Sequence, residues 1–464
     1  MMQLEQITRV YFIGIGGIGM SAIARYFLVR GVEVSGYDKT PSDLTRQLEA
    51  EGITIHYGEA DVSKIPAPDA GLLVVFTPAV PKDFAERRHV EQGDYTVVKR
   101  AQILGIISRG SDCVAIAGTH GKTTTTTITA HLMTVAGLEP TAFLGGIAQN
   151  FGTNYVHGSS NWVIAEADEY DRSFLQLDPT IAVILSADPD HLDIYGDHAS
   201  MLESGFKAFV RRIQPGGQLL VRHEIGNVFR GVAEDVLFST FGIGAGDFSA
   251  QNIQVKNGAF YFDLREPDGH IVPDIRTELP GRHNVENAVA ACAVTRLSGG
   301  SEDAIREGLA TFKGIERRFE KKFDNGDLVI IDDYAHHPTE LNAAIHAARE
   351  LYPDKKIYGV FQPHLFSRTQ DFAPGFAEAL DKLDEAILIP IYPAREEPRP
   401  GITSHIIFSR MRLEEKRLLS DNLMLEWAKE LKEGVLLLLG AGDISVLINQ
   451  IADYHLKYTD HDQS

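Results

Sequence analysis

The sequence predicts an α/β chain of three consecutive segments, residues 1–107, 108–320 and 321–464. Three observations carry that reading. Short apolar runs alternate with helix-period stretches, the pattern of parallel sheets joined by crossover helices. Two of those runs lead straight into glycine-rich loops, GIGGIGM at 14–20 and GTHGKTT at 118–124. The chain has 464 residues, and a prior of about one domain per 150 residues suggests three.

The first segment opens with the apolar run Val10–Ile13, followed by the glycine loop and a helical pattern through Ala22, Ile23, Tyr26 and Phe27. A second strand over Val32–Tyr37 ends at Asp38, which completes a Rossmann-like βαβ unit. Further strands are expected at Ile53–His56 and Leu72–Phe76. Gly14, Gly16 and Gly19 form GxGxxG, with Gly17 inside it. Taken alone, this pattern suggests NAD with Asp38 on the ribose. The same loop also suits any other pyrophosphate, with Asp38 an exposed turn carboxylate.

The second segment reads as a P-loop ATPase α/β domain with a β-hairpin edge. A strand over Cys113–Ala117 feeds GTHGKTT, and a helix follows from Thr123 to Ala136. Gly118 and Gly121 allow the amides of Thr119, His120 and their neighbours to turn toward one phosphate. Lys122 offers charge to the outer phosphates, and Thr123, followed by Thr124, offers a hydroxyl to Mg2+. Five consecutive threonines, Thr123–Thr127, make a poor helix start, which suggests that at least Thr123 is kept for chemistry. This loop is expected to handle the terminal phosphate of ATP.

Strands at Trp162–Ala165 and Ile181–Leu185 each run into an acidic stretch. The first is Glu166-Ala-Asp168-Glu169-Tyr170-Asp171. Clustered carboxylates repel one another, and a divalent cation near the phosphate loop would neutralise them, with Glu166 the preferred ligand. The second is Asp188-Pro-Asp190-His191-Leu-Asp193, read either as a cation site using His191 or as a helix-capping cluster. Residues 247–275 alternate around Asp-Gly and Asn-Gly turns as edge hairpins, and a helix over Asn284–Leu297 closes the segment.

The third segment is again Rossmann-like α/β. Strands are expected at Leu328–Asp332, Lys356–Phe361, Glu385–Ile389 and Val435–Leu439, with a helix over Thr339–Leu351. Polar residues pool at two strand ends, where open α/β sheets bind ligands. One end carries Asp332, Asp333, Tyr334, His336 and His337; the other carries Gln362, His364, Ser367 and Arg368. An arginine such as Arg368 suits a carboxylate. Arg317 and Arg318 at the second hinge either reach nucleotide phosphates or solvate the hinge.

Composition narrows the function class. The net charge of −20 argues against a nucleic-acid partner. No apolar stretch approaches the roughly 18 residues that span a membrane, and the start MMQLEQITRV lacks a signal pattern. The two cysteines, Cys113 and Cys292, sit in apolar runs as buried thiols, which fits the cytoplasm.

Together the motifs resemble the Mur ligases, the ATP-dependent amide-forming enzymes of peptidoglycan synthesis. GIGGIGMS, GTHGKTTT, EADEYDRSF, DHLDIYGD, GRHNVENAVAA, ERRFE, DDYAHHPTE, FQPHLFSRT and PIYPARE fall in family order along the whole chain. The resemblance is greatest to members that join L-alanine to the lactyl carboxylate of UDP-N-acetylmuramate through an acyl phosphate, acting as a monomer or weak homodimer. It implies that the first domain holds UDP through Gly14, Gly16, Gly17, Gly19 and Asp38, and that the 144–154 stretch, with Asn150, meets the muramyl part. It implies Lys122 on the phosphates, and Thr123, Glu166 and His191 around Mg2+. His283, Asn287, Arg318 and Asp333 would complete the ATP pocket. Tyr334, His336, His364 and Arg368 would shape the alanine site. There are two departures. Leu365 stands where some members have arginine, and Gly205 falls near the position of a carbamylated lysine in other branches, with Lys207 the closest lysine.

Overall fold

The computed structural model describes residues 4–189, 192–256, 258–394 and 396–459. The architecture is three-domain α/β, organised on three sheets. The first sheet contains β1 (Arg9–Ile13), β2 (Glu33–Asp38), β3 (Thr54–Tyr57), β4 (Leu72–Phe76) and β5 (Thr96–Lys99). Their order is β3-β2-β1-β4-β5, and every pair is parallel. β4 is buried at every residue because both faces are covered. The order reverses at β1, so a crevice opens at its carboxyl end, where the first glycine loop lies.

The second sheet contains β6 (Asp112–Ala117), β7 (Thr141–Ala148), β8 (Thr153–Val156), β9 (Trp162–Ala167), β10 (Ile181–Ile184), β11 (Gln218–Arg222), β12 (Leu237–Ile243), β13 (Phe248–Lys256), β14 (Ala259–Arg265) and β15 (Ile271–Thr277). The order is β15-β14-β13-β12-β11-β10-β6-β9-β7-β8. β6 is parallel to both neighbours, β10 and β9. The ends of these three strands therefore lie side by side. The predicted edge hairpins are present as β13, β14 and β15.

The third sheet contains β16 (Glu320–Asp324), β17 (Leu328–Asp333), β18 (Ile357–Phe361), β19 (Glu385–Leu388), β20 (Lys416–Leu418) and β21 (Gly434–Leu439), ordered β16-β17-β21-β18-β19-β20. It is parallel except for β16, which runs antiparallel to β17. That edge strand was not read from the sequence; nor were β5, β7, β8, β11, β12 and β20. β7 carries the pair Gly145-Gly146, which lowers strand propensity. Gly145 is needed there all the same, because a β-carbon would meet the Glu166 carboxylate.

Contacts divide the chain into two compact units. One comprises Met1–Asn252, Phe262–Ile275 and Glu286–Lys313; the other comprises Ile253–Tyr261, Arg276–Val285 and Gly314–Ser464. Within the first unit, the helix Ile18–Val29 buries Met20, Ala22, Ile23, Ala24, Tyr26 and Phe27, and packs against β7 and β8 as well as its own sheet. A polar network fastens it there. Arg25 binds the Glu51 carboxylate at 2.7–3.0 Å and also donates to the side-chain oxygen of Asn154. Asn154 is fully buried, and its amide nitrogen donates to the Ile18 carbonyl and to Ser21 Oγ at 2.8 Å. Replacing Asn154 with Leu strands these groups in the core. The expected cost is about 2–3 kcal/mol, read as a lower urea midpoint at unchanged slope.

Candidate active site

The phosphate loop leaves the end of β6 under steric control. Gly118 has φ +146°, and a β-carbon there would lie 2.9 Å from the Ser186 nitrogen. Gly121 has φ +79°, and its β-carbon would lie 2.7 Å from Asn287 Oδ1. Both positions therefore require glycine. Ser186, just past β10, clamps the loop: its hydroxyl lies 3.0 Å from Thr119 Oγ1 and accepts the His120 N–H at 2.9 Å. The helix Lys122–Val135 starts immediately afterwards, so its amino end carries partial positive charge at the loop. The threonine run does form helix. Thr127 and Thr129 return their hydroxyls to the carbonyls of Thr123 and Thr125 at 2.7 Å.

Lys122 Nζ donates to the Gly118 carbonyl at 2.6 Å and to both oxygens of Glu169 at 2.9 and 3.0 Å. The Glu169 side chain is completely buried. Burial opposes the ammonium charge, but the carboxylates of Glu169, Asp168 and Glu166 outweigh it and hold the Lys122 pKa above its ordinary value. Thr123 Oγ1 donates to Glu166 Oε2 at 2.9 Å. A hydroxyl beside a carboxylate is a hard-oxygen pair of the kind Mg2+ prefers, so the donor set fits that ion. Among the described residues, no three His, Cys, Asp or Glu side chains gather into a cation cage. Asp190 and His191 lie outside the described residues.

In the first glycine loop, the Gly14 and Ile15 amides donate to the Tyr37 carbonyl at 2.8 and 2.9 Å. The Gly16 N–H donates to Asp38 Oδ2 at 2.7 Å, so Asp38 holds the loop in shape. Gly17 precedes the helix, and Gly19 lies against the Arg100 guanidinium, 2.6 Å from where its β-carbon would be. A cavity of about 110 Å³ opens beside them, lined by Gly19, Arg100, Leu144, Gly145, Glu166 and Asp168 among others. Arg100 and Asp168 pair across it at 3.4 Å. The structure thus brings the first glycine loop and the acidic run after β9 to one cavity. Asn150 is engaged elsewhere: its amide donates to the Thr311 carbonyl at 2.8 Å and accepts the Lys313 N–H at 2.7 Å. Lys207 pairs with Glu203 one turn back at 3.0 Å.

The second unit gathers its polar residues at the ends of β17 and β18. Asp333 accepts the amides of Phe319 and Ala335, each at 2.8 Å, and burial pushes its carboxyl up to about 6 against the pull of Arg318. Arg317 and Arg318 lie over the Tyr334 ring at 5.0 and 4.9 Å. His336 Nδ1 lies 3.0 Å from the Tyr334 carbonyl and 3.2 Å from Glu340, and burial lowers its pKa. Its ring meets His364 edge-on at 5.9 Å, and His364 stacks on Tyr392 at 5.8 Å. Arg368 stands in the first turn of the helix Phe366–Leu380, and its charge also opposes protonation of His336. That helix is entered through Leu365 at φ +68°, a backbone conformation costing about 1–3 kcal/mol for a residue with a side chain. His283 packs on Gly281 in the same unit.

Sequence reasoning did not single out Ser186, Arg100, Glu340 or Tyr392. Ser186 had one usable signal, a hydroxyl just past a buried strand. Glu340 and Tyr392 lie inside DDYAHHPTE and PIYPARE, but only the fold shows what they touch.

Asp332 provides a pH test. It is 1% exposed, faces Arg317 at 3.6 Å, and burial pushes its carboxyl up from 3.8 to about 7. A folded pKa above the unfolded one means that the fold favours the protonated acid. The stabilisation is complete below about pH 4 and is lost as pH rises through about 7. Stability should therefore fall between pH 5 and 8, on the order of 2–4 kcal/mol from this group. Asp332→Asn should flatten that slope in urea titrations at the two pH values.

Three family models match the chain: "Mur ligase family, catalytic domain" over 9–111, "Mur ligase middle domain" over 116–295, and "Mur ligase, glutamate ligase domain" over 317–447. The UDP-N-acetylmuramate–L-alanine ligase of Phocaeicola vulgatus is 46% identical over 97% of this chain and 98% of its own length. The same enzyme of Flavobacterium psychrophilum is 45% identical at the same coverages. The crystal structure of UDP-N-acetylmuramate-alanine ligase MurC from Thermotoga maritima superposes with a TM-score of 0.82 at 27% identity, covering 97% of this chain and 99% of that one. With its glycine loops, acidic run and histidine cluster set at the ends of parallel strands in three sheets, this chain belongs to the Mur ligase family.

Proposed function

We propose that the chain ligates L-alanine to the lactyl carboxylate of UDP-N-acetylmuramate, consuming ATP and releasing ADP and phosphate. A carboxylate does not condense with an amine at neutral pH, because oxide is too poor a leaving group. Transfer of the γ-phosphoryl group makes an acyl phosphate. The alanine amine then attacks its carbonyl carbon, the C–O bond to phosphate breaks, and the amide remains. The observation that carries this reading is the shared cavity: Gly19 of the first loop and Glu166 of the acidic run line the same space. A sugar nucleotide held by the first loop would thereby present its muramyl end beside the phosphate loop.

In this reading Lys122 and the amides of 118–124 hold the outer phosphates, and Asn287, His283, Arg318 and Asp333 complete the ATP pocket. Thr123 and Glu166, with His191, would hold Mg2+, which supplies charge neutralisation at the transferred phosphoryl group. Gly14, Gly16, Gly17 and Gly19 present backbone to the UDP pyrophosphate, shaped by Asp38. Tyr334, His336, His364 and Arg368 form the amino-acid site, Arg368 binding the alanine carboxylate. His336 donates Nδ1–H to the Tyr334 carbonyl, which leaves Nε2 of the neutral ring to take the proton that the amine loses. The domains are taken as 1–107 for the sugar nucleotide, 108–320 for ATP and 321–464 for the amino acid. The working form is a cytoplasmic monomer or weak homodimer. Among the described residues no helix is long and apolar enough to cross a membrane.

Two measurements test the proposal. Phosphate release with ATP, Mg2+ and UDP-N-acetylmuramate should require an added amino acid and be fastest with L-alanine; faster turnover with a tripeptide would overturn the choice of substrate. Lys122→Ala should lower kcat by about 10²–10³-fold, whereas full ligation by that variant would refute the role of the loop.

A further inference from the structure

A buried tyrosine outside the substrate-binding residues is tied to the phosphate-loop lysine through one peptide group. The carboxylate that holds Lys122 belongs to Glu169, just past β9. The backbone that follows turns sharply, with Asp171 at φ +52° and Arg172 at φ +55°. Two residues at left-handed φ without glycine persist only where their surroundings over-determine them. Here the Tyr170 amide donates to Asp168 Oδ1 at 3.1 Å, and the Phe174 amide to the Asp168 carbonyl at 2.9 Å. Phe174 is buried against Phe206 and Phe209, with ring centroids at 5.6 and 5.0 Å. The Glu169 carbonyl itself receives the Tyr195 hydroxyl at 2.7 Å.

Tyr195 is 5% exposed, and burial keeps its hydroxyl protonated, so it remains a donor. Its ring is held on two sides. The Arg172 guanidinium lies 5.4 Å from its centroid. On another side runs a π-helical turn, Leu202–Phe206, which presents Gly205. A β-carbon at Gly205 would lie 3.0 Å from Tyr195 Cε1 and 3.1 Å from its hydroxyl oxygen. Single π turns in helices recur at functional sites, and this one makes room for the hydroxyl end of one ring. Tyr195 thus fixes the peptide that aims the Glu169 carboxylate, and that carboxylate fixes Lys122.

We propose that Tyr195 is a positioning residue for phosphoryl transfer, seated by Gly205 and acting through Glu169 to hold Lys122 at the place the outer phosphates of ATP will occupy. The inference rests on the phosphate-loop role of Lys122 given above. Its consequence is a coupled chain of three residues: removing the hydroxyl should loosen Lys122 only while Glu169 is present to transmit the change.

The experiment is a double-mutant cycle on the full chain, with ATP, Mg2+, UDP-N-acetylmuramate and L-alanine. Tyr195→Phe removes one oxygen. It should lower kcat per active site about tenfold, the loss of roughly one hydrogen bond to a positioned group, with the KM for L-alanine unchanged. It should also narrow the ratio of ADP to ATP dissociation constants, measured on folded protein with a fluorescent nucleotide competitor. A loss of folded protein alone would not move that ratio. Gly205→Ala keeps the hydroxyl but displaces the ring, and should give the same phenotype. In a Glu169→Ala background, Tyr195→Phe should have no further effect. Additive effects of Tyr195→Phe and Glu169→Ala, or an unchanged ADP-to-ATP ratio in Tyr195→Phe, would overturn the proposal. The Lys122→Ala variant separates the two claims. If it retains ligation, the phosphate-loop reading falls; if it loses ligation while Tyr195→Phe matches wild type, only the positioning inference falls.

Discussion

The Lys122 ammonium is bound on three sides, by the Gly118 carbonyl and by both oxygens of a carboxylate that sees no solvent. An isolated buried charge would be costly, so each member of this pair depends on the other being in place. The contact ties the loop after β6 to the peptide after β9, and Ser186 ties the same loop to the end of β10. Three neighbouring parallel strands of one sheet therefore meet at the phosphate loop. Gly118, Gly121 and Gly145 supply the close backbone approaches that this crowding demands.

The same constraint reaches the first sheet. The helix that follows the first glycine loop is fastened by Arg25, Asn154 and Glu51 while packing on β7 and β8. The two loops are held in one compact unit, and the cavity lined by Gly19 and Glu166 is the result. Electrostatics also differ between the units. Around the phosphate loop, carboxylates keep a lysine charged. At the end of β17, burial favours the neutral forms of Asp332, Asp333 and His336. A charged environment suits phosphate binding, and a neutral imidazole suits proton acceptance from an amine.

Much of this was legible in the sequence because it is locally encoded. Glycine spacing, a strand before and a helix after are enough to find both loops, and apolar runs located most of the parallel strands. Residues whose roles are set by long-range contacts were less legible. Asp38 was left between a ribose ligand and a turn carboxylate, and the fold shows it holding the Gly16 amide. Glu169 was one of four similar carboxylates until burial distinguished it. The resemblance implied Asn150 as a sugar ligand, and only the fold shows its amide bonded to the backbone at 311–313. β7 escaped notice because its two glycines weaken a strand signal, although one of them, Gly145, is required by the Glu166 side chain beside it.

In the proposed reaction the phosphate loop activates one carboxylate instead of hydrolysing ATP, and following oxygen tests this most directly. UDP-N-acetylmuramate labelled with ¹⁸O in both lactyl carboxylate oxygens is turned over with ATP and L-alanine, and the released phosphate is analysed by mass. An acyl phosphate leaves one carboxylate oxygen in the phosphate, so each turnover should yield phosphate carrying one ¹⁸O. Phosphate free of label, released at the rate of amide formation, would contradict the account.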